Sequence, residues 1–201
     1  ITSRQDNQIV VLPGANASVA RPLVASVSLR SGDICLAQME IPPTATMEFF
    51  ARARAAGATT ILNAAPAGAG VLPLLPLTDI LIVNESELAL LTDCPVEGLI
   101  GDRALTDALV KLGPDRPGTV IVTLGAEGFA IASGDTLRRI AGESVSVVDT
   151  TGAGDCFCGY LAAGLARGES LVFASIEANV AASIAVQSLG AASAVPARST
   201  I

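Results

Sequence analysis

Short runs rich in Ile, Val and Leu alternate along this chain with stretches of helical character, and this alternation narrows the possible folds more than any other feature. Ile9–Leu12, Ile34–Met39, Thr60–Asn63, Ile80–Val83 and Val120–Leu124 read as strands. Between and after them, Ala17–Ser28, Thr44–Ala56, Ser86–Leu91, Ala104–Leu112, Asp155–Arg167 and Leu171–Gln187 read as helices. Strands joined through helices pair in parallel, because a parallel connection needs about a dozen residues or more to cross over. Phe129–Ala132 and Thr136–Ile140 are the exception: Ser133-Gly134-Asp135 between them has the composition of a hairpin turn. Pro66 to Pro76 is a Gly/Pro-rich connection. No repeat, charged block or long linker divides the 201 residues, so one α/β domain with a mainly parallel sheet is expected.

Within that frame, Asp149-Thr150-Thr151-Gly152-Ala153-Gly154-Asp155 carries the chemistry. Three small residues stand between two carboxylates where a loop turns into a long apolar helix. A helix start leaves its first amides without intrahelical acceptors, and those N–H groups, with the helix dipole, attract anions. The amides of Gly152, Ala153 and Gly154 would form such an anion hole, with no bulky side chain to keep a phosphate away. Asp155 then stands at the pocket edge, able to take a proton from a hydroxyl attacking that phosphate. The plainer alternative is a glycine-rich turn before a core helix, with Asp155 as its N-cap. Asn84-Glu85-Ser86-Glu87, after the strand ending at Val83, also has a plain reading: Asn84 caps a helix and Glu87 completes a capping box. In isolation, Thr123-Leu124-Gly125-Ala126-Glu127-Gly128 is a turn leaving a strand.

Composition removes several classes. A net charge of −7 and 3% aromatic residues argue against a partner that is nucleic acid. No uninterrupted apolar run reaches membrane-spanning length despite 51% hydrophobic residues, which argues against a membrane partner. Histidine is absent, so any general base is a carboxylate, a lysine or water, and Lys111 is the only lysine. The cysteines Cys35, Cys94, Cys156 and Cys158 lack paired zinc spacing, and free thiols in a reducing cytoplasm are the simplest reading. The chain opens at Ile1 rather than methionine and reads as a start within a longer protein.

Taken together, the heptapeptide, N-x-x-E and T-L-G-x-x-G resemble the signatures of ribokinase-like (PfkB-type) sugar kinases. Leu12-Pro13-Gly14-Ala15-Asn16 resembles an A-G-A-N segment of that family, and Gln38-Met39-Glu40 a Q-L-E segment. Asn63-Ala64-Ala65-Pro66-Ala67 resembles N-P-A-P-A with alanine in place of the first proline. These three segments narrow the resemblance towards ribokinases. It implies a three-layer α/β/α fold and transfer of a phosphoryl group from ATP to the 5-hydroxyl of D-ribose. Asp155 would be the catalytic base, also in contact with substrate, and Glu40 would bind ribose hydroxyls. Asn84, Thr123, Leu124, Gly125, Ala126, Glu127, Gly128, Gly154 and Asn179 would line the ATP site. Glu87 would hold Mg²⁺ through water. A monovalent cation, K⁺, would take the carboxylate of Asp149 and main-chain oxygens of Thr151, Ala185, Ser188 and Gly190. The family's serine closing G-x-x-x-S is Ala194 here, with Ser193 beside it.

The resemblance covers the C-terminal two-thirds of one carbohydrate kinase domain, residues 1–201. The family's N-terminal strands, its sugar-binding G-G-K-G-A-N segment and its β-lid have no counterpart in these residues. Since the lid forms the family's homodimer interface, that dimer is not expected here. Sugar binding by this chain alone should be poor, and uncovered strands should make it prone to associate. Two other readings remain: a family member acting on another sugar or a nucleoside, and a catalytically silent protein that binds without turnover.

Overall fold

The computed structural model describes residues 2–3, 6–7, 11–96 and 101–201. Two short strands, β1 (Thr2–Ser3) and β2 (Asp6–Asn7), form an antiparallel pair. The body is a six-stranded sheet in strictly sequential order: β3 (Ile34–Ala37), β4 (Thr59–Asn63), β5 (Ile80–Asn84), β6 (Thr119–Thr123), β7 (Phe129–Ser133) and β8 (Thr136–Ile140). β3 to β6 pair in parallel, and β7 and β8 add antiparallel. Ser133 pairs with Thr136, leaving Gly134 and Asp135 as a two-residue loop. Gly134 takes φ +55°, the positive angle that a first loop residue needs in such a hairpin.

Parallel strands that advance in one direction with crossovers of one hand place all their connections on one face. The side chains agree. Leu62, Leu81, Val83, Val120, Val122 and Ala130 point to the face covered by α2 (Pro43–Ala55), a 3-10 segment at Leu72–Leu77, α3 (Glu85–Thr92) and α4 (Asp102–Val110). Ile61, Ile80, Ile82, Ile121, Phe129 and Ile131 alternate to the other face, under α5 (Ala153–Ala166) and α6 (Leu171–Ala185). Because both faces are covered, the strands read as continuous apolar runs rather than alternating ones. Phe129 meets Phe157 of α5 edge to face, centroids 5.5 Å apart. α5 and α6 approach closely at Gly164, where a Cβ would lie 2.7 Å from that of Ala174. The three-layer α/β/α expectation is met.

The start of the chain differs from expectation. Of the expected strand Ile9–Leu12, Ile9 and Val10 lie outside the described residues, and Val11 and Leu12 are irregular. The single helix expected over Ala17–Ser28 is a 3-10 turn at Gly14–Ser18 followed by a short helix α1 (Arg21–Ala25). Pro22 explains the break: proline is tolerated only in a helix's first turn, so a helix containing it begins at Arg21. The guanidinium of Arg52 in α2 then donates to the carbonyls of Val24 and Val27, tying α1 down at its end. Among the described residues no helix is long and apolar enough to cross a membrane.

Candidate active site

The parallel strands deliver their carboxyl ends to one rim, where ligands gather in such sheets. Asn84 ends β5 directly opposite Thr123 at the end of β6, so N-x-x-E and T-L-G-x-x-G are neighbours by register. Thr123 Oγ1 donates across that pair to the carbonyl of Val83 at 3.4 Å. The capping box at α3 is complete. Glu87 N–H donates to Asn84 Oδ1 and Asn84 N–H to Glu87 Oε2, each at 2.8 Å. Burial pushes the Glu87 carboxyl above the usual glutamate value, partly offset by the Asn84 amide.

After Thr123 the chain folds into a tight loop. Leu124 N–H donates to Gly128 O at 2.8 Å, and Gly128 N–H to Gly125 O at 3.1 Å. Gly128 has φ +89°, and a Cβ there would lie 2.2 Å from the carbonyl oxygen of Ile140. Gly142 is equally confined: its Cβ would fall 2.2 Å from the carbonyl oxygen of Ala126. These two backbones touch with no room for side chains, so the second glycine of T-L-G-x-x-G is a packing requirement here. Beside them opens a cavity of about 420 Å³, with Gly125, Ala126, Thr150, Ala153 and Asn179 in its wall. Asn179 of α6 reaches back to donate to Ala141 O at 3.3 Å, bridging the helix to the segment after β8. Gly142 also lines this cavity, and the sequence reading passes over it; Thr150 is read there as part of the heptapeptide but given no role of its own. No local pattern marks Gly142, since its constraint comes from a loop sixteen residues earlier.

The heptapeptide makes the turn into α5. Gly152 is the N-cap residue, at φ +78°, with no side-chain cap. A Cβ there would come within 2.9 Å of Ala191 Cβ, so glycine is needed for space as well as for conformation. The N-cap alternative for Asp155 does not hold: the carboxylate sits in the first turn, exposed, three residues after Gly152. Ala153 N–H is taken by Thr150 O at 3.2 Å. Among the described residues no protein acceptor takes the N–H of Gly152 or Gly154. The same turn borders two hollows, with Ala153 on the 420 Å³ cavity and Gly152 and Asp155 on a groove of about 550 Å³. Small residues, Gly159 and Ala163, floor that groove. At its far end Arg167 and Arg198 pair with Glu169 and Glu177, tying the C-terminal segment across α5 and α6.

Two observations connect the motifs in space. The Cys158 thiol, one turn into α5, is pushed up to about 12 by burial first, then by the charges of Asp155 and Glu87. The capping-box glutamate and the helix-start aspartate therefore both lie near enough to act on one buried atom. Asp149 links the heptapeptide to the loop after α6. Its Oδ1 accepts from Thr151 N–H at 2.9 Å and its Oδ2 from Gly190 N–H at 3.0 Å. Hydrogen bonds from Thr151 and Gly190 hold its carboxyl below the ordinary aspartate value. The Val148 and Asp149 amides both donate to Val186 O, closing the same junction, and Ser188 N–H donates to Ala185 O at 3.2 Å.

A separate pair forms upstream. Asn16 Nδ2 donates to Glu40 Oε2 at 3.4 Å, so the G-A-N and Q-M-E segments meet although 24 residues separate them. Glu40 N–H also donates to Gln38 Oε1. Neither Glu40 nor Asn16 lines the cavity or the groove around α5.

The profile of the pfkB family carbohydrate kinases matches residues 1–198. The chain belongs to this family. Among curated members, it is 33% identical to a ribokinase of Staphylococcus aureus over 98% of this chain and 64% of that protein. Among solved structures of the family, a ribokinase from Thermotoga maritima superposes with a TM-score of 0.83 at 32% identity, covering 96% of this chain and 63% of that one. A ribokinase of Arabidopsis thaliana, solved in complex with ribose and ATP, gives 0.81 at 30% identity over 97% and 64%. The chain thus spans a little under two thirds of the length of these relatives.

Proposed function

We propose that this chain carries the phosphoryl-transfer half of a ribokinase, acting on ATP and D-ribose to give ADP and ribose 5-phosphate. The observation that carries this reading is the start of α5. A left-handed glycine, with no side-chain cap, leaves the amides of Gly152 and Gly154 without a protein acceptor among the described residues, and an exposed carboxylate stands in the same first turn. The Arabidopsis relative's complex with ribose and ATP supports the substrate pair. In this reading the amides of Gly152 and Gly154, with Ala153 between them, stabilise charge on the transferring group. Asp155 accepts the proton of the sugar's 5-hydroxyl. A loose transition state leaves that hydroxyl weakly acidified until late, so an exposed carboxylate suffices as base. The nucleotide lies along Thr123, Leu124, Gly125, Ala126, Glu127 and Gly128, with Asn179 lining the same cavity as Gly125 and Ala126. Asn84 stands at the phosphate end, and Glu40 with Asn16 engages ribose hydroxyls.

The residues present suit the cations that the family implies. Among the described residues no three His, Cys, Asp or Glu side chains converge as a metal cage. A Mg²⁺ here would be held mainly by phosphates and water. Glu87 spends only Oε2 on its capping bond, so Oε1 remains to accept from a metal-bound water. A bound Mg²⁺ would supply neutralisation of the developing phosphate charge. For K⁺, Asp149 is already tied through the Gly190 N–H to the loop after α6 and through the Thr151 N–H to its own turn, so the residues whose carbonyls would complete the cage, Thr151, Ala185, Ser188 and Gly190, belong to segments joined at this carboxylate. Ser193 Oγ lies 2.6 Å from where a Gly190 Cβ would be, so a hydroxyl stands near that loop although position 194 is alanine.

The test is ADP release with Mg-ATP and K⁺, with and without D-ribose, and with fructose and a nucleoside as alternative acceptors. Ribose-stimulated release is expected, and Asp155→Asn should lower turnover by about 10²- to 10⁴-fold. Turnover within a few-fold of the parent in Asp155→Asn would remove Asp155 as base. Release stimulated by another acceptor and not by ribose would retain the chemistry and overturn the sugar.

A further inference from the structure

The cavity of about 420 Å³ beside the α5 turn is walled in part by Val145, Val147 and Val186, an apolar slot with a few polar side chains in its lining. What those side chains have left to offer is mostly acceptors. Asn179 spends one Nδ2 hydrogen on Ala141 O at 3.3 Å and keeps Oδ1 and one N–H. Ser183 spends its hydroxyl hydrogen on Val180 O at 2.7 Å, so only its lone pairs remain. Glu143 is the only ionisable side chain in the lining. It is exposed, and among the described residues it forms no ion pair. Its ionised carboxylate accepts and cannot donate. Ser144 and Thr150 also line the slot, with hydroxyls that can turn either way. The residues before Glu143 set its place. Ala141 is held by the Asn179 bond, and Gly142 packs against the Ala126 carbonyl with no room for a side chain. Glu143 therefore leaves a segment anchored both to α6 and to the loop after β6.

We propose that Glu143 selects the nucleobase, accepting a hydrogen bond from the exocyclic amine of a 6-aminopurine and disfavouring a 6-oxopurine. The inference rests on the cavity being the nucleotide site of the reading above, and assigns that site its base preference. Adenine presents a 6-amino donor beside ring nitrogens that accept. That edge answers a carboxylate together with an Asn179 amide that has one acceptor and one N–H free. Hypoxanthine carries a carbonyl oxygen in place of the amine. That oxygen would meet the carboxylate with no hydrogen between them, leaving two acceptors opposed. The valines pack against either base alike, so they add affinity without choice. Selection therefore falls to the polar groups, and Glu143 is the one among them that carries charge.

The test measures binding rather than turnover, by titration calorimetry of the folded chain with ADP and with IDP, its 6-oxo counterpart, in the presence of Mg²⁺. ADP should bind about tenfold more tightly than IDP, the lower end for a hydrogen bond to a charged group, as suits an exposed carboxylate. In Glu143→Gln, whose amide can also donate to a 6-oxo group, the two affinities should come within about threefold of each other, chiefly because IDP gains. A carboxylate acting only through its charge on the phosphates would instead change both affinities by one factor. An ADP-to-IDP ratio unchanged by Glu143→Gln would therefore overturn Glu143 as the base selector while leaving the nucleotide site standing. A parent that binds IDP as well as ADP, or better, would do the same. Binding of neither diphosphate by the folded parent would overturn the nucleotide site itself, and this inference with it.

Discussion

Helices α3 and α5 both begin at the rim where the strands end, yet their first turns are finished in opposite ways. α3 is closed by its own side chains, with Asn84 and Glu87 exchanging hydrogen bonds and satisfying two otherwise unpaired amides. α5 starts from a bare left-handed glycine and leaves comparable amides without a side chain to meet them. A helix end costs stability when its donors lack partners, so an uncapped start bordering two hollows is a place where an anion, once bound, would satisfy those donors. The acidic residues follow the same division. Glu87 is half-buried, and that burial pushes its carboxyl up. Asp149 is held down by amides and serves as a strut between the α5 turn and the loop at Gly190.

Substitutions can break this contrast, in decreasing order of expected effect. Gly152→Ala forces an L-residue into the left-handed region, at about 1–2 kcal/mol, and pushes a methyl against Ala191. A fall in Tm of roughly 2–8 °C is expected by thermal denaturation, because each kcal/mol moves a domain of this size by about 2–4 °C. An unchanged Tm would mean that the turn relaxes without its glycine and that the α5 start is not fixed as described. Asn84→Ala removes the cap from α3 and should cost about 1 kcal/mol, seen as a Tm lower by about 2–4 °C. A loss as large as that of Gly152→Ala would erase the distinction between a self-capped helix and one left open.

Glu87→Gln tests the smallest difference. The folded-state value of Glu87 lies above its unfolded one, so between the two the native state holds the extra proton, and stability falls as pH rises through that window. Glutamine keeps an acceptor for the Asn84 amide and never ionises. At pH 7 the variant's Tm should equal or slightly exceed the parent's, and the two should converge as pH falls below the ordinary glutamate value of 4.5. If Glu87 also orients a metal-bound water, the same variant should weaken Mg²⁺ activation by about 10- to 100-fold while leaving Tm intact. A variant that loses Tm at neutral pH would show instead that the charge itself holds α3.

Much of this was legible because it is local. The five-residue strands around Ile61, Ile82 and Ile121 appear where the apolar runs predict them, within a residue or two at their ends. The Asn84 capping box follows from spacing alone. α1 was misread because its apolar pattern suggests a longer helix, although Pro22 is a written stop signal that fixes the start at Arg21. Contacts between distant segments left no trace of that kind. The meeting of Gly128 with Gly142, the strut from Asp149 to Gly190 and the pairing of Arg198 with Glu169 and Glu177 depend on where the sheet carries each loop. No window of neighbouring residues contains that information. The Asn16–Glu40 contact is intermediate: each segment is recognisable, but the hydrogen bond between them needs the fold.

The mutual contact of the loops at Ala126 and Gly142 has an evolutionary consequence. Where the two loops meet beside the cavity, backbone packs against backbone, and that fit is set by two glycines rather than by the side chains beside them. Neighbouring positions such as Ala126 and Glu143 therefore have latitude to change character without deforming the hollow. A lineage that keeps Gly128 and Gly142 can change the lining of the hollow through those side chains alone, whereas a side chain at either glycine forces the two loops apart.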